Sequence, residues 1–520
     1  MLAEPPVTER YDVEAVNSAK KRQPLYAPRK KIFPKRASGQ FRRFKWLVML
    51  VTLTIYYVTP WIRWDRGPFA PDQAVLVDLA NRRFYFFMIE IWPQEFYYVA
   101  GMLVMAGIGL FLITSTVGRA WCGYACPQTV WVDLFLVVER AIEGERNARI
   151  KLEAAPWTFD KISKRVTKHA IWIVIGIATG GAWIFYFADA PTLLADVVTL
   201  QAPLVAYFTI ALLTATTYTF GGLMREQVCT YMCPWPRIQG AMLDEHSLTV
   251  TYNDWRGEPR SRHAKKAAAE GKPVGDCVDC NACVVVCPMG IDIRDGQQLE
   301  CITCALCIDA CDDVMVKLGK EGGLISYATL NDYNDNMRLS MGDGRKVNPA
   351  NVRDHVTGKL VDAVRHTSWR SIVRPRSVVY FLVWGTIGLA MLTVLSLRSP
   401  LSVNVLHDRN PIYVQLKDGS IRNGYDVKIL NMTPAPRTVD LRLEGLPGAE
   451  ISLADDGTQT MQAVQLALEP DEVLPVRLYV RVGPDVELEA KRKFSIVVTS
   501  EDGSVTSTTE ATFEGPEGRQ

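Results

Sequence analysis

Residues 277–311 read CVDCNACVVVCPMGIDIRDGQQLECITCALCIDAC and hold eight of the chain's 12 cysteines. Cys277, Cys280, Cys283 and Cys287 follow the spacing C-x2-C-x2-C-x3-C-P. Cys301, Cys304, Cys307 and Cys311 repeat it, with Asp312 where the proline would stand. A zinc site takes four ligands, usually as two separated pairs, whereas three thiolates two residues apart wrap one iron–sulfur cubane. The fourth cysteine of each run then reaches the other cluster. The pattern predicts two [4Fe-4S] clusters, one on Cys277, Cys280, Cys283 and Cys311 and the other on Cys287, Cys301, Cys304 and Cys307. A small α+β, two-cluster ferredoxin-like segment over 271–315 would carry them.

Five apolar runs constrain the rest, since crossing a bilayer takes about 20 mostly apolar residues. They occupy 46–62, 97–117, 171–188, 203–222 and 378–397, the first being short and carrying Pro60 near its end. About forty-five polar residues precede the first run, so no cleaved signal peptide is expected. Lys and Arg crowd the tail 1–45, the stretch KISKRVTKH before the third run and WRSIVRPR before the last. DAPTLLADVVTLQA, between the third and fourth, has neither. The positive-inside rule then puts the N-terminus, the 118–170 loop and the 223–377 segment in the cytoplasm, and 398–520 outside. In a reducing cytoplasm clustered thiols serve metals or redox chemistry rather than disulfides. A net charge of +2 argues against nucleic acid as a partner.

The other four cysteines lie in one phrase written twice. RAWCGYACP (119–127) and REQVCTYMCP (225–234) share C-x-Y-x-C-P, each just past the end of an apolar run. The membrane part therefore reads as two tandem helical hairpins in parallel orientation. In a helical phrase Cys122 with Cys126, and Cys229 with Cys233, would share a face. Small buried cysteines are the ordinary reading of such pairs. A soft-metal or redox site is the other, because thiolates favour Cu(I), zinc and iron–sulfur centres. Met232 has only Ala125 as its counterpart, so a methionine ligand is not expected. The apolar stretch TVWVDLFLVV after the first phrase is too short to span and reads as interfacial. The sequence has no C-x-x-C-H and no G-x-G-x-x-G after a predicted strand, and only His169 among six histidines lies near an apolar run. Neither haem, nicotinamide nor flavin is expected, and electrons must come from a partner or a quinol.

Beyond Cys311 the chain has no cysteine, and YDVKIL, VDLRL, VRLYVRV and FSIVV alternate apolar with polar residues. With Asp418-Gly419 as a tight hairpin, these strands predict an immunoglobulin-like sandwich without the Cys-Trp-Cys core of antibody domains.

The paired C-x-Y-x-C-P phrases, the two-cluster segment, a last membrane helix and an outer sandwich resemble the CcoG/FixG/RdxA family over nearly the whole chain. The membrane part alone also resembles NapH and NosR, which share the C-x-x-x-C-P pairs. The resemblance implies a multi-domain protein of the bacterial inner membrane that acts in assembly of cbb-type cytochrome c oxidase, reducing Cu(II) to Cu(I) for copper delivery. It implies two [4Fe-4S] clusters and copper as cofactors, and oxidase-assembly and copper-handling proteins as partners. Cys122, Cys126, Cys229 and Cys233 match the paired motifs and would form the copper or redox site. The expected order is a basic tail (1–45), a four-helix membrane region (46–222), a cytoplasmic region (223–377), a fifth membrane helix (378–397) and a periplasmic domain (398–520). A NapH-like carrier that oxidises quinol and an assembly scaffold with structural clusters are the competing readings. Self-association is compatible with all three.

Overall fold

The computed structural model describes residues 31–516 apart from 69, 264–265, 267–268, 345, 355–358, 368–371, 434, 455–460, 471 and 487–488. Positions 1–30 of the expected basic tail, and 369–371 of the basic approach to the last apolar run, lie outside the described residues. The helices that position the cysteines are α1 (Gln40–Val58), α2 (Tyr97–Val117), α3 (Ala120–Tyr124), α4 (Pro127–Glu143) and α5 (Phe159–Ile184). They continue with α6 (Leu204–Thr217), α7 (Trp235–Met242), α8 (Ala282–Val286), α9 (Leu306–Lys317) and α10 (Pro375–Ser396).

Among the described residues three helical stretches are long and apolar enough to cross a membrane: Pro93–Val117, Leu204–Met224 and Pro375–Ser396. Protein covers little of any of them. Five spans were expected. The runs 46–62 and 171–188 do form helices, α1 and α5, but α1 opens with QFRRFK and α5 with FDKISKRVTKH, so charge occupies their first turns.

The pairing of these helices differs from two tandem hairpins. α5 and α6 lie against each other, with Gly180 so close that a Cβ there would stand 2.9 Å from the Ile210 carbonyl oxygen. Small residues permit this approach where apolar contact with lipid gives helices no other reason to associate. α2, however, lies along α10, with Gly101 against Met391 and Gly388 against Met105. An apolar run records its length and not its neighbour.

β1 (Val75–Asp78), β2 (Arg83–Phe86) and β3 (Ile89–Ile91) form an antiparallel meander between α1 and α2. Arg398, after α10, donates to the Glu90 carbonyl at 2.6 Å and pairs with Glu95 at 3.2 Å. The segment that holds the two cysteine runs is built on the pair β4 (Thr249–Tyr252) and β5 (Ile325–Ala328). Val250, Tyr252, Ile293, Ile308, Met315 and Ile325 pack there with Cys277, Cys283 and Cys311. Asp309 of α9 fastens this segment to the membrane part: its carboxylate accepts from the backbone N–H groups of Phe41 (3.2 Å) and Arg42 (2.7 Å) at the start of α1. A buried carboxylate satisfies donors there that α1 itself leaves free.

The C-terminal domain is the expected sandwich. One sheet runs β10 (Ala449–Leu453), β12 (Val473–Val482), β8 (Ile421–Asn431), β6 (Leu401–His407), with β7 (Val414–Gln415) also on β8. The other runs β11 (Ala463–Leu468), β9 (Arg437–Glu444), β13 (Lys491–Ser500), β14 (Thr506–Glu514). Alternate residues Tyr425, Val427 and Ile429 meet Leu441, Ile496 and Val498 in its core. The Asp418-Gly419 hairpin joins β7 to β8, with Gly419 at φ 82°.

Replacing Gly180 by Ala forces the α5–α6 contact apart, whereas Gly385, with nothing within 4 Å of a Cβ, is an open position. Gly180→Ala is expected to destabilise the detergent-solubilised protein by about 1–3 kcal/mol, and Gly385→Ala to leave it near wild type. Thermal unfolding of both variants checks this, and equal midpoints would contradict the packing.

Candidate metal centres

The two cysteine runs fold alike. Asp279 (φ 53°) and Asn281 (φ 58°) flank Cys280, and Thr303 (φ 55°) and Ala305 (φ 59°) flank Cys304, all four in the left-handed region. Such a conformation costs non-glycine residues about 1 kcal/mol or more each, and it persists where a loop must wrap around something. A short helix follows each loop, α8 or α9. Pro288 excludes the helical conformation at Cys287, so α8 stops at Val286. With Asp312 in the corresponding place, α9 runs on through Cys311 to Lys317. The Asp312 carboxylate accepts from Gly323 N–H at 2.7 Å.

Five of the eight thiols, Cys287, Cys301, Cys304 and Cys307 together with Cys283, line one small apolar cavity walled by Ile291, Ile293 and Ile302. Burial and the neighbouring Cys304 push the Cys287 thiol up to about 12. Cys307 is raised well above the ordinary thiol value, by burial and then by Cys304, Cys301 and Cys287. Cys311 belongs to the other group: burial, then Cys283, Asp312, Cys277 and Cys280, push it up to about 12. Thiols this crowded and dry stay protonated unless a cation makes thiolates of them. Among the described residues no three His, Cys, Asp or Glu side chains close at the distance of a single ion. A cubane holds its ligands wider apart than one ion does, and an apolar cavity lined by Cys287, Cys301, Cys304 and Cys307, with Cys283 at its edge toward the other run, fits such a group.

The first C-x-Y-x-C-P phrase lies directly on this centre. Tyr124 donates to the Cys304 carbonyl at 3.2 Å, and Cys122 packs in one apolar cluster with Cys304, Ile302 and Leu306. A Cβ on Gly123 would stand 2.6 Å from the Ile302 carbonyl oxygen and 3.0 Å from Cys304 backbone atoms, so only glycine permits this seat. The phrase is not one helix. Cys122 lies in α3, but Cys126 (φ −59°, ψ 128°) is the extended residue before Pro127 that caps α4. In the second phrase Cys229 lies in a π-helical turn, Val228–Met232, and Cys233 (φ −80°, ψ 122°) is extended before Pro234. The residue before a proline avoids the helical region, which separates both pairs from a shared helix face.

The four phrase thiols are nonetheless neighbours. Burial pushes Cys229 up to about 12, with further contributions from Cys126, Cys122 and Cys233. Cys122 rises to about 11, mainly from burial, against the pull of the Arg119 guanidinium. Its Sγ–H donates to Gln239 Oε1 at 3.1 Å, and Gln239 Nε2 donates to Thr114 at 3.1 Å. Gln239 and Asp309 carried no signal in the sequence, because each acts across 100 residues or more. Arg119 stands inside the quoted phrase, yet only the fold shows its charge among thiols.

Comparison with known proteins bears on each part. The family described as "4Fe-4S dicluster domain" matches residues 224–330. "4Fe-4S binding domain" matches 99–143, and "IG-like fold at C-terminal of FixG" matches 391–516. The chain is 68% identical to "Nitrogen fixation protein FixG" of Rhizobium meliloti (strain 1021), over 94% of this chain and 93% of that protein. It is 54% identical to "Protein RdxB" of Cereibacter sphaeroides, over 88% of this chain and 90% of that one. The solved structure of a FixG-related protein from Vibrio parahaemolyticus covers 22% of this chain and 97% of its own, at 24% identity and a TM-score of 0.19.

The grouping of Cys287 with Cys301, Cys304 and Cys307 has a spectroscopic consequence. Anaerobically prepared protein is expected to hold about eight irons per chain, and Cys287→Ser to alter the signal of the cluster on the second run. Damage confined to the cluster of Cys277, Cys280 and Cys283 would contradict the grouping.

Proposed function

The chain belongs to the FixG/RdxA family, and we propose that it is a membrane-bound reductase of Cu(II) to Cu(I) that serves copper delivery during assembly of cbb-type cytochrome c oxidase. Its coarser character, an iron–sulfur redox protein with apolar helices suited to a membrane, is the ground for this reading. Bound to the two cysteine runs, [4Fe-4S] clusters supply one-electron chemistry. Copper is the substrate, and each Cu(II) gains one electron to become Cu(I).

The observation that carries the reading is the contact between Cys122 and the Cys304 loop. It puts the thiols suited to soft metal beside the thiols suited to clusters. Cys122, Cys126, Cys229 and Cys233 hold the copper ion, and thiolate sulfur favours Cu(I) over Cu(II), so binding itself drives the reduction. Gly123 and Tyr124 fix the first pair against the cytoplasmic segment, and Gln239 orients the Cys122 sulfur. Burial raises the Cys122, Cys126 and Cys229 thiols and keeps them protonated until metal arrives, while Cys233 is exposed, so copper entry releases protons.

In this reading α1 and α5 complete five crossings of the bacterial inner membrane. The N-terminal tail (1–45) and 223–377 face the cytoplasm, and 398–520 faces the periplasm. The outer sandwich is then available to copper-handling and oxidase-assembly proteins.

Serine at all four positions 122, 126, 229 and 233 is expected to leave iron content and cluster spectra unchanged, and to reduce Cu(I) retention at least about tenfold. Anaerobic equilibrium dialysis against Cu(I), with iron analysis of the same sample, measures both. Retention at the wild-type level would place the copper site elsewhere and leave the phrases with a packing role.

A further inference from the structure

We propose that Arg119 is a positioning residue whose single positive charge, buried at the seat of the first phrase on the second cysteine run, favours the reduced state of the cluster site of Cys301. The inference rests on the function proposed above. Arg119 is 5% exposed. One of its terminal N–H groups donates to the Leu299 carbonyl, its Nε has no hydrogen-bond partner, and among the described residues no carboxylate pairs with it. A guanidinium buried in this way is costly unless an anion compensates it.

The anions within its reach are thiolates. Arg119 caps α3, three residues before Cys122, and its head reaches Leu299, two residues before Cys301, so the guanidinium stands where the two groups of sulfur meet and pulls against the burial that raises Cys301, Cys122 and Cys229. The corresponding arginine of the second phrase, Arg225, is spoken for: it pairs with Glu139 at 2.8 Å. Of the two arginines that open the repeated phrase, one is neutralised by a carboxylate and the other is left to the thiols.

The consequence is electrostatic. A [4Fe-4S] group on four thiolates is a net anion that gains one further negative charge when it takes an electron. A fixed positive charge beside it therefore favours the reduced state. In the other group Arg294 stands beside Cys283, but it is paired with Asp279 at 2.7 Å and with Asp292 at 2.6 Å. Among the described residues Arg119 has no such carboxylate, so its charge makes the site of Cys301 easier to reduce than it would be without it.

The test is a redox titration of the anaerobically purified full-length protein, followed by electron paramagnetic resonance, with Arg119→Gln and Arg119→Lys. Glutamine keeps a donor for the Leu299 carbonyl and loses the charge; lysine keeps the charge. Arg119→Gln is expected to raise the oxidised-to-reduced ratio of one cluster about tenfold at a fixed potential, or about 59 mV for a one-electron couple. The second cluster should stay within about twofold of wild type, and Arg119→Lys should restore the first. A glutamine variant with full iron and both potentials unmoved overturns the inference. If that variant loses its iron, the lysine variant decides. Full iron and a near-wild-type potential support a role for charge, and iron loss in the lysine protein as well overturns it in favour of a structural role. Wild-type protein with fewer than two clusters would instead sink the underlying reading, whatever Arg119 does.

Discussion

The close approach of Gly123 to the backbone of Ile302 and Cys304 governs the part of the molecule that holds all 12 cysteines. Any side chain there would push the first C-x-Y-x-C-P phrase off the cluster loop, because a Cβ would meet a carbonyl oxygen at 2.6 Å. The seat is then closed by polar contacts on either side. Tyr124 donates to the Cys304 carbonyl, and Tyr327 donates to the Thr303 carbonyl at 2.9 Å. Carbonyls of a left-handed loop point outward and need such partners when buried. The loop geometry that wraps a metal group and the contact that brings the phrase thiols to it are therefore one piece of structure.

Charge holds the same junction from the other side. Asp309 of α9 caps α1, and Arg42 of α1 pairs with Asp133 of α4 at 2.8 Å, both side chains almost fully buried. Deeper in, Glu139 meets Arg149 at 3.1 Å and Arg225 at 2.8 Å, and Glu143 meets Lys168 at 2.8 Å. Buried ion pairs add little net stability, and losing one partner strands the other. Their value here is registration: each pair accepts one relative placement of α1, α4, α5 and the second phrase. These charges also explain why α1 and α5 fall short of a fully apolar span. Their first turns belong to this junction.

The sequence disclosed most where the determining interaction is local. Cluster spacing is set by ligands a few residues apart, so both runs and the grouping of Cys311 with the first thiols could be proposed from letters alone. The strands containing Tyr425, Leu441, Val480 and Val498 showed themselves by alternation, which the pleat imposes residue by residue. Failures came where the cause is distant or competes. The second cysteine of each phrase, Cys126 or Cys233, left the helix because Pro127 and Pro234 act on the residue before them, a rule that outweighed the attraction of an i, i+4 pattern. The pairing of α2 with α10 was hidden because Gly101 and Gly388 specify a close contact without specifying with whom. Gln239 and Asp309 read as ordinary polar residues until the fold set them against Cys122 and α1.

The proposed function requires that electrons pass from clusters on the two cysteine runs to copper where the first phrase sits on the Cys304 loop. Rapid anaerobic mixing of reduced, desalted protein with Cu(II) tests it most directly. Cluster reoxidation is read from absorbance, and Cu(I) from a specific chromophoric chelator. The account predicts one Cu(I) for each electron lost. It also predicts a rate slower by about tenfold or more in Gly123→Val protein that retains its iron. Equal rates in the two proteins, or reoxidation without Cu(I), would contradict it.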